Sequence, residues 1–264
     1  MKTIDLNYID MIIIYLLLLI PVAFSIWLKL GIIKETAFSV FRMTIQLGLV
    51  GLYLGVIFDL NSLPLNILWI LVMMVVANIS ILRQSGLLIR QLFPYTFSAI
   101  CLAMTLVSTI FVVIAIAPQP LYDARYLIPI TGMLLGNCMR SNVIALERFY
   151  SGIRANEKEF ITYQMLGATL SEATLPYIRS AMRSAINPML ATVATLGIVS
   201  LPGMMTGQIL GGSTPMVAIK YQIAIMISIF SAMVVSSALS LIFTCKIAFD
   251  NYGMLKQKIF APSK

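Results

Sequence analysis

The chain has 264 residues, of which 60% are hydrophobic and only 11% charged, and its mean hydropathy is +0.96. Soluble domains carry roughly a quarter charged residues, so this composition excludes a soluble enzyme and points to a polytopic membrane protein. The net charge of +8 does not indicate nucleic-acid binding, because the positive residues cluster at the ends of apolar runs.

Seven apolar segments, at about 8–28, 36–58, 64–82, 94–117, 126–146, 188–211 and 216–247, are long enough to cross about 30 Å of hydrocarbon. They predict an all-α helical bundle of about seven transmembrane helices, a single transmembrane domain over residues 1–264. The first run follows Lys2 and lacks a small-x-small cleavage site before Lys29, so it is read as a retained helix. Lys29 and Lys34 follow span one, Arg83 and Arg90 follow span three, and Arg148, Arg154, Lys158, Arg179 and Arg183 follow span five. Lys246, Lys256, Lys258 and Lys264 follow span seven, while the opposite side holds only Lys2, Arg125 and Lys220. By the positive-inside rule the N-terminus is outside and the C-terminus cytoplasmic.

The outer loops are short turns, such as Phe58–Pro64 and Gly211–Pro215. One inner loop is long, about 147–187, and reads as two amphipathic helices joined at Leu166-Gly167-Ala168-Thr169, the second opening on Ser171-Glu172. A pair of helices lying only on lipid headgroups would carry the same pattern.

Several chemistries lack their residues. There is no histidine, the commonest general base and transition-metal ligand. Cys101, Cys138 and Cys245 are scattered in or beside apolar runs and form neither a disulfide framework nor a CxxC pair. No GxxxxGK[ST] sequence supplies an ATP site. Aspartates and glutamates fall at span ends or in loops, unlike the acidic residue at depth that a proton-coupled carrier keeps. A channel, a transporter driven by another subunit, or a membrane scaffold remain.

Arg42 and Arg140 fall within spans two and five, each toward the cytoplasmic side, where a guanidinium either snorkels to the headgroups or serves function. Gln46 lies one turn beyond Arg42, and Asn78 and Asn137 also lie in spans; such amides are expected to face other helices or a wet cavity. Glycines four apart, Gly51 and Gly55, Gly132 and Gly136, and Gly203, Gly207 and Gly211, give smooth faces in spans two, five and six. They predict a central interface of those three spans. Met133, Met139, Met204 and Met205 flank the glycines, as gap fillers or as thioether ligands for a soft cation.

The stretch Val199–Gly212, VSLPGMMTGQILGG, places Pro202 and four glycines within fourteen residues, inside span six and at its end. It is expected to kink or break there, leaving carbonyls of Thr195 to Ser200 free to line a polar path. Candidate residues for that path or its pivot are Arg42, Gln46, Met133, Asn137, Pro202, Gly203, Met204, Met205 and Gln208.

Four stretches together resemble the FetB-type permease family (UPF0014): Ile128–Asn137 (IPITGMLLGN), Leu166–Thr169, SLPGMMTGQI from Ser200, and Ala218–Gln222 (AIKYQ). Thr44–Leu47 after Arg42 looks like the family's second-span signature. The resemblance implies the membrane subunit of an ABC transporter, implicated in iron export, with plant relatives linked to aluminium tolerance and UDP-glucose proposed as cargo in one system. It implies a multi-pass protein of the inner (plasma) membrane, two permease copies and a separate ATP-binding subunit that uses the ATP, with no cofactor held by this chain; it leaves any metal ligands unknown. Leu166, Gly167, Ala168 and Thr169 would then couple to the ATPase. Ile161–Tyr163 stands where importers carry Glu-Ala-Ala, and Arg140 stands where the family has an uncharged residue. An anionic or nucleotide-sugar cargo, and a non-transporting scaffold, are the alternatives.

Overall fold

Turn residues set where the apolar runs stop. In the computed structural model, which describes residues 7–250 and 252–261, two short helices, α1 (Tyr8–Leu16) and α2 (Leu19–Trp27), together form one apolar rod from Ile9 to Trp27. Helix α3 (Ile33–Leu60) ends at Asn61, whose backbone turns left-handed (φ 35°), and α4 (Leu63–Gln84) starts with a proline in its first turn, where no amide donor is needed. Helix α5 (Ile89–Ser108) widens into a π-helical segment, Thr109–Ile116. Asp123 caps α6 (Ala124–Ala155) by accepting from the Arg125 amide at 3.0 Å. The turns before α4 and α6 are clasped together: Asn61 Oδ1 accepts from the Ala124 amide at 3.0 Å, and Asn66 donates to the Tyr122 carbonyl at 2.8 Å.

After α6 come α7 (Glu157–Met165), α8 (Leu170–Thr195), α9 (Gly203–Leu210) and the long α10 (Pro215–Ala248). The inner loop is therefore shorter than the sequence indicates. Helix α6 runs on to Ala155, and α8 begins under a Thr169 cap rather than at Ser171. Helix α8 also continues through Pro176 and Pro188 into the stretch expected to open span six. Proline inside a helix costs a backbone bond, but it does not end this helix; Gly197 does.

Five of the seven expected spans are helices long and apolar enough to cross a membrane: Ile9–Trp27, Ile33–Leu60, Leu63–Gln84, Ile89–Ile116 and Pro215–Ala248. The fifth and sixth differ for separate reasons. Helix α6 has ample length, 32 residues, but carries Arg125, Asn137, Arg140, Asn142, Glu147 and Arg148. It packs against α4, α8 and α10 and buries Asn142 there, while Arg125, Arg140, Glu147 and Arg148 stay exposed. The sixth is split into the end of α8 and the eight-residue α9.

Helix α10 lies along α5 and α6, and α4 closes against both. Leu82, Leu92, Ile100, Leu146 and Phe149 are wholly buried there. Helices α1 to α3 stay outside this core, with most of their apolar side chains exposed. The central interface expected of the glycine faces does not exist within one chain. A Cβ at Gly51, Gly55, Gly136, Gly203 or Gly207 would meet nothing within 4 Å, and one at Gly211 would meet backbone of its own segment, chiefly the Gly207 carbonyl at 3.2 Å. Of these seven glycines only Gly132 is approached by a neighbouring helix, through Met73 Cε at 3.2 Å. Small residues permit close approach but do not supply the neighbour. Here the large apolar side chains of α4, α5, α6 and α10 decide which helices meet.

Candidate functional site

The break in the sixth span builds a cleft. Helix α8 stops at Thr195, and Gly197 takes a left-handed backbone (φ 84°) that favours glycine. The chain then folds on itself, the Val199 amide donating to the Thr195 carbonyl and the Gly197 amide to the Ser200 carbonyl, both at 3.0 Å. Pro202 is extended, and its carbonyl receives the Thr206 amide at 3.0 Å as α9 begins. The carbonyls of Thr195 and Ser200, expected to be free for a polar path, are thus used inside this turn.

The walls come from α8 (Leu190, Val193), from the break (Leu196, Gly197, Leu201, Pro202), from Met205 of α9 and from one face of α10 between Ile219 and Phe230. They enclose about 670 Å³, the size of a site for a drug-sized molecule. Every side chain on the wall is apolar except Gln222. Gln222 is only 9% exposed, and its amide oxygen is buried without a hydrogen-bond partner. Gln208 on α9 is half-buried, and its amide oxygen is likewise unpartnered.

The structure brings only part of the sequence-derived set together. Pro202 and Met205 line the cleft. Met204 packs on the main core instead, as does Met133. Asn137 spends its amide on its own helix, donating to the Met133 carbonyl at 2.8 Å. Arg42 and Gln46 are exposed on α3, Arg140 is exposed on α6, and none of the three lines the cleft. Among the described residues no group of three histidine, cysteine, aspartate or glutamate side chains is placed to hold a metal ion.

A polar seam between α6 and α10 was not singled out from the sequence. Asn142 donates to Ser236 Oγ at 2.9 Å, and Ser237 donates to Ser141 Oγ at 3.0 Å, all four residues being buried. Ser240 and Thr244 continue the line along α10. Its signal is small polar residues four apart, Ser236, Ser240 and Thr244, the same interval that marked the glycines.

Leu166–Thr169 forms a tight connection between α7 and α8. Gly167 has φ 92°, its amide closes back on the Gln164 carbonyl at 3.0 Å, and the Ala168 amide on that of Tyr163 at 3.1 Å. Thr169 and Glu172 cap α8 reciprocally: the Thr169 amide donates to Glu172 Oε2 at 2.8 Å and the Glu172 amide to Thr169 Oγ1 at 3.3 Å. The Thr169 hydroxyl, at 2.7 Å, and then its amide hold the Glu172 carboxyl below its usual range. Phe160 anchors α7 inward, stacked on Phe249 with ring centres 5.6 Å apart. Gln164 ties α7 to the C-terminal segment, donating to the Gly253 carbonyl at 3.1 Å. Between these anchors, Met165 and Leu166 stand 82% and 80% exposed.

A model of the "Uncharacterised protein family (UPF0014)" matches residues 8–249. The chain belongs to the UPF0014 family. It is 34% identical to the UPF0014 membrane protein slr1647 of Synechocystis sp. over 200 residues, 76% of this chain and 77% of that one. It is 32% identical over 243 residues to Protein ALUMINUM SENSITIVE 3 of Arabidopsis thaliana, covering 92% and 88% of the two chains. It is 30% identical over 224 residues to the "Probable iron export permease protein FetB" of Escherichia coli, covering 85% and 83%. No solved structure matches. Membership agrees with the apolar helices: this UPF0014 protein is a multi-pass membrane protein.

Proposed function

We propose that this UPF0014 protein is the membrane-spanning subunit of an ABC exporter, working as two copies with a separate ATP-binding subunit in the plasma (inner) membrane. The reading takes the chain as a single permease domain with seven crossings, the N-terminus outside and the α7–α8 connection in the cytoplasm. The observation that carries it is the exposed apolar tip, Met165 and Leu166, on a connection held rigid from both sides. Two large apolar side chains in water are unfavourable unless a partner covers them. The sequence has no phosphate-binding loop of its own, which agrees with ATP hydrolysis by a separate subunit; in this reading the chain itself holds no cofactor. Rocking of that connection would move α6 and α8, and with α8 one wall of the cleft.

The name of the FetB relative supports metal, specifically iron, as cargo. An anionic or nucleotide-sugar cargo is the second reading, favoured by the excess of positive residues, Arg42 and Arg140 among them. Purification of the tagged protein in mild detergent tests the class: a P-loop protein co-purifies if the chain is an ABC subunit, and a scaffold brings none. Vesicles carrying both proteins, loaded with ferrous ion or with a nucleotide sugar, separate the cargoes by ATP-dependent loss of one and not the other.

A further inference from the structure

We infer that residues 249–261 form a strap that makes the α7–α8 connection and the α4–α5 turn move as one unit, so that a partner seated on the exposed tip is felt at α4 and α5. The second clause rests on the proposal that the connection receives the ATP-binding subunit; the strap itself does not.

The strap starts as a stiff hairpin. Phe249 leaves α10 in an extended conformation, and Asp250 organises the turn that follows. The Asp250 carboxylate accepts from the Tyr252 and Met254 amides at 2.9 and 2.8 Å, and its own amide donates to the Met254 carbonyl at 2.9 Å. Phe249 pairs antiparallel with Leu255, and the Lys256 amide returns to the Ala248 carbonyl at 2.9 Å. Lys256 Nζ donates to the Ile247 carbonyl at 2.9 Å, as a basic group at a helix C-terminus can. The hairpin is thereby fixed to the end of α10.

From there the strap grips elements far apart in sequence. On one side is α7. With nine residues it is too short to be stable alone, so tertiary contacts place it. Phe160 stacks on Phe249, and Gln164 donates to the Gly253 carbonyl at 3.1 Å. Gly253 has φ 77°, and a Cβ there would run into the Gln164 amide, so this approach requires glycine. On the other side is the α4–α5 turn. The Leu88 amide donates to the Ile259 carbonyl at 2.7 Å and the Ala261 amide to the Gly86 carbonyl at 2.8 Å, a short antiparallel pairing around Leu87 and Phe260. Ile259 is wholly buried. The Phe260 ring meets Tyr150 of α6 edge-on at 6.4 Å and carries the Arg154 guanidinium 5.0 Å from its centre. A contiguous, hydrogen-bonded run of backbone therefore joins α7 to α6 and to the α4–α5 turn. Packed and bonded chains of this kind carry coupling between separate sites.

Amide hydrogen exchange of the full-length protein in nanodiscs tests the tie without any partner. The reporters are the Leu166, Gly167 and Ala168 amides, each bonded within the connection. Phe260→Ala, at the far end of the strap, is expected to speed their exchange about tenfold. Ala261→Pro is the milder variant. It removes only the donor to the Gly86 carbonyl, and Phe260 is already extended, as the residue before a proline must be. It is expected to speed exchange at the connection about threefold, and Gln164→Ala, which cuts the near end, about fivefold, each the effect of one hydrogen bond. Both ends belong to one link, so Gln164→Ala combined with Ala261→Pro is expected to exchange no faster at the connection than Gln164→Ala alone. Ala261→Pro that speeds exchange at Leu88 and leaves the connection unchanged would overturn the inference. So would effects that multiply in the double variant, since they would mark independent anchors.

The P-loop protein recovered in the pull-down tests the transmission. Its binding is expected to raise protection of the Leu88 amide in the parent protein, and not in Gln164→Ala compared at equal occupancy. No gain in the parent, or the same gain in Gln164→Ala, would overturn transmission through the strap. A parent that brings down no P-loop protein would sink the ABC reading and leave the exchange result standing, so the two failures are distinguishable.

Discussion

Asn142 of α6 donates from its side-chain nitrogen to the Ser236 hydroxyl of α10 at 2.9 Å. Both residues are wholly buried, and the neighbouring pair Ser141–Ser237 repeats the link one position along. Hydrogen bonds between helices in apolar surroundings are worth about 0.6–2 kcal/mol. Asn142→Ala is therefore expected to destabilise the protein by about 1–3 kcal/mol, since it removes the bond and leaves a small void. Asn142→Leu combined with Ser236→Ala is expected to cost less than the two single changes added together, because both partners are removed at once. Thermal unfolding in detergent, measured for the singles and the double, checks this. Additive losses would show that the two residues act independently.

Part of this architecture was legible and part was not, for physical reasons. Long apolar runs mark spans because lipid demands them, and α3, α4, α5 and α10 stand close to where the runs place them. The break was legible too, because Pro202 and the glycines around it are poor helix formers. Its starting point was not: Pro188 lies inside α8, while Gly197 ends it. Which helices meet is decided by contacts distant in sequence. The glycine faces of α3 and α9 looked like contacts and are open, whereas the serine line of α10 lay unnoticed inside an apolar run. Gln222 was quoted only as part of a motif; that it shares a cleft wall with Val193 and Pro202 is a contact distant in sequence, which periodicity cannot reveal.

The open glycine faces carry a prediction about assembly. A side chain at Gly51, Gly55 or Gly207 meets nothing within the chain, so Gly51→Leu and Gly207→Leu are expected to insert and fold as the parent does. If these faces pack between the two copies of the proposed assembly, the same changes shift the protein toward the monomer. Gly132→Leu behaves in the opposite way, because Met73 already stands 3.2 Å from the Cβ position. It is expected to lower thermal stability by about 1–3 kcal/mol through overpacking. Cross-linking in membranes reads the first effect and thermal unfolding the second.

The exposed tip between α7 and α8 predicts where partner binding is lost. Leu166→Asp and Met165→Asp put a charge on side chains that touch little of their own chain, so stability is expected to change by less than about 0.5 kcal/mol. Affinity for the ATPase is expected to fall about tenfold or more, by analogy with the truncation of central apolar anchors at other interfaces. Pull-down of the ATP-binding subunit measures it. Gly167→Pro attacks the same element through its backbone, since proline cannot adopt φ 92°. It is expected to leave the ATPase bound but no longer stimulated by cargo.

The Thr169–Glu172 cap gives the α7–α8 connection a pH dependence whose sign follows from its hydrogen bonds. The Thr169 hydroxyl and then its amide favour the ionised carboxylate, so the Glu172 carboxyl titrates lower in the folded protein than in the unfolded chain. A group of this kind stabilises the fold above its unfolded value, and the contribution disappears as pH falls through the lowered folded value. The cap is therefore intact at neutral pH and opens only on acidification below the ordinary carboxylate range of about 4. Amide hydrogen exchange at Thr169, Glu172 and Ala173, the amides bonded within the cap, is expected to lose protection over that interval. Glu172→Ala removes the acceptor, so its first turn exchanges quickly at all pH values. Glu172→Gln keeps the reciprocal cap without the titrating proton, and its protection is expected to be flat across the same range. A pH-dependent loss that persists in Glu172→Gln would assign the effect to another group.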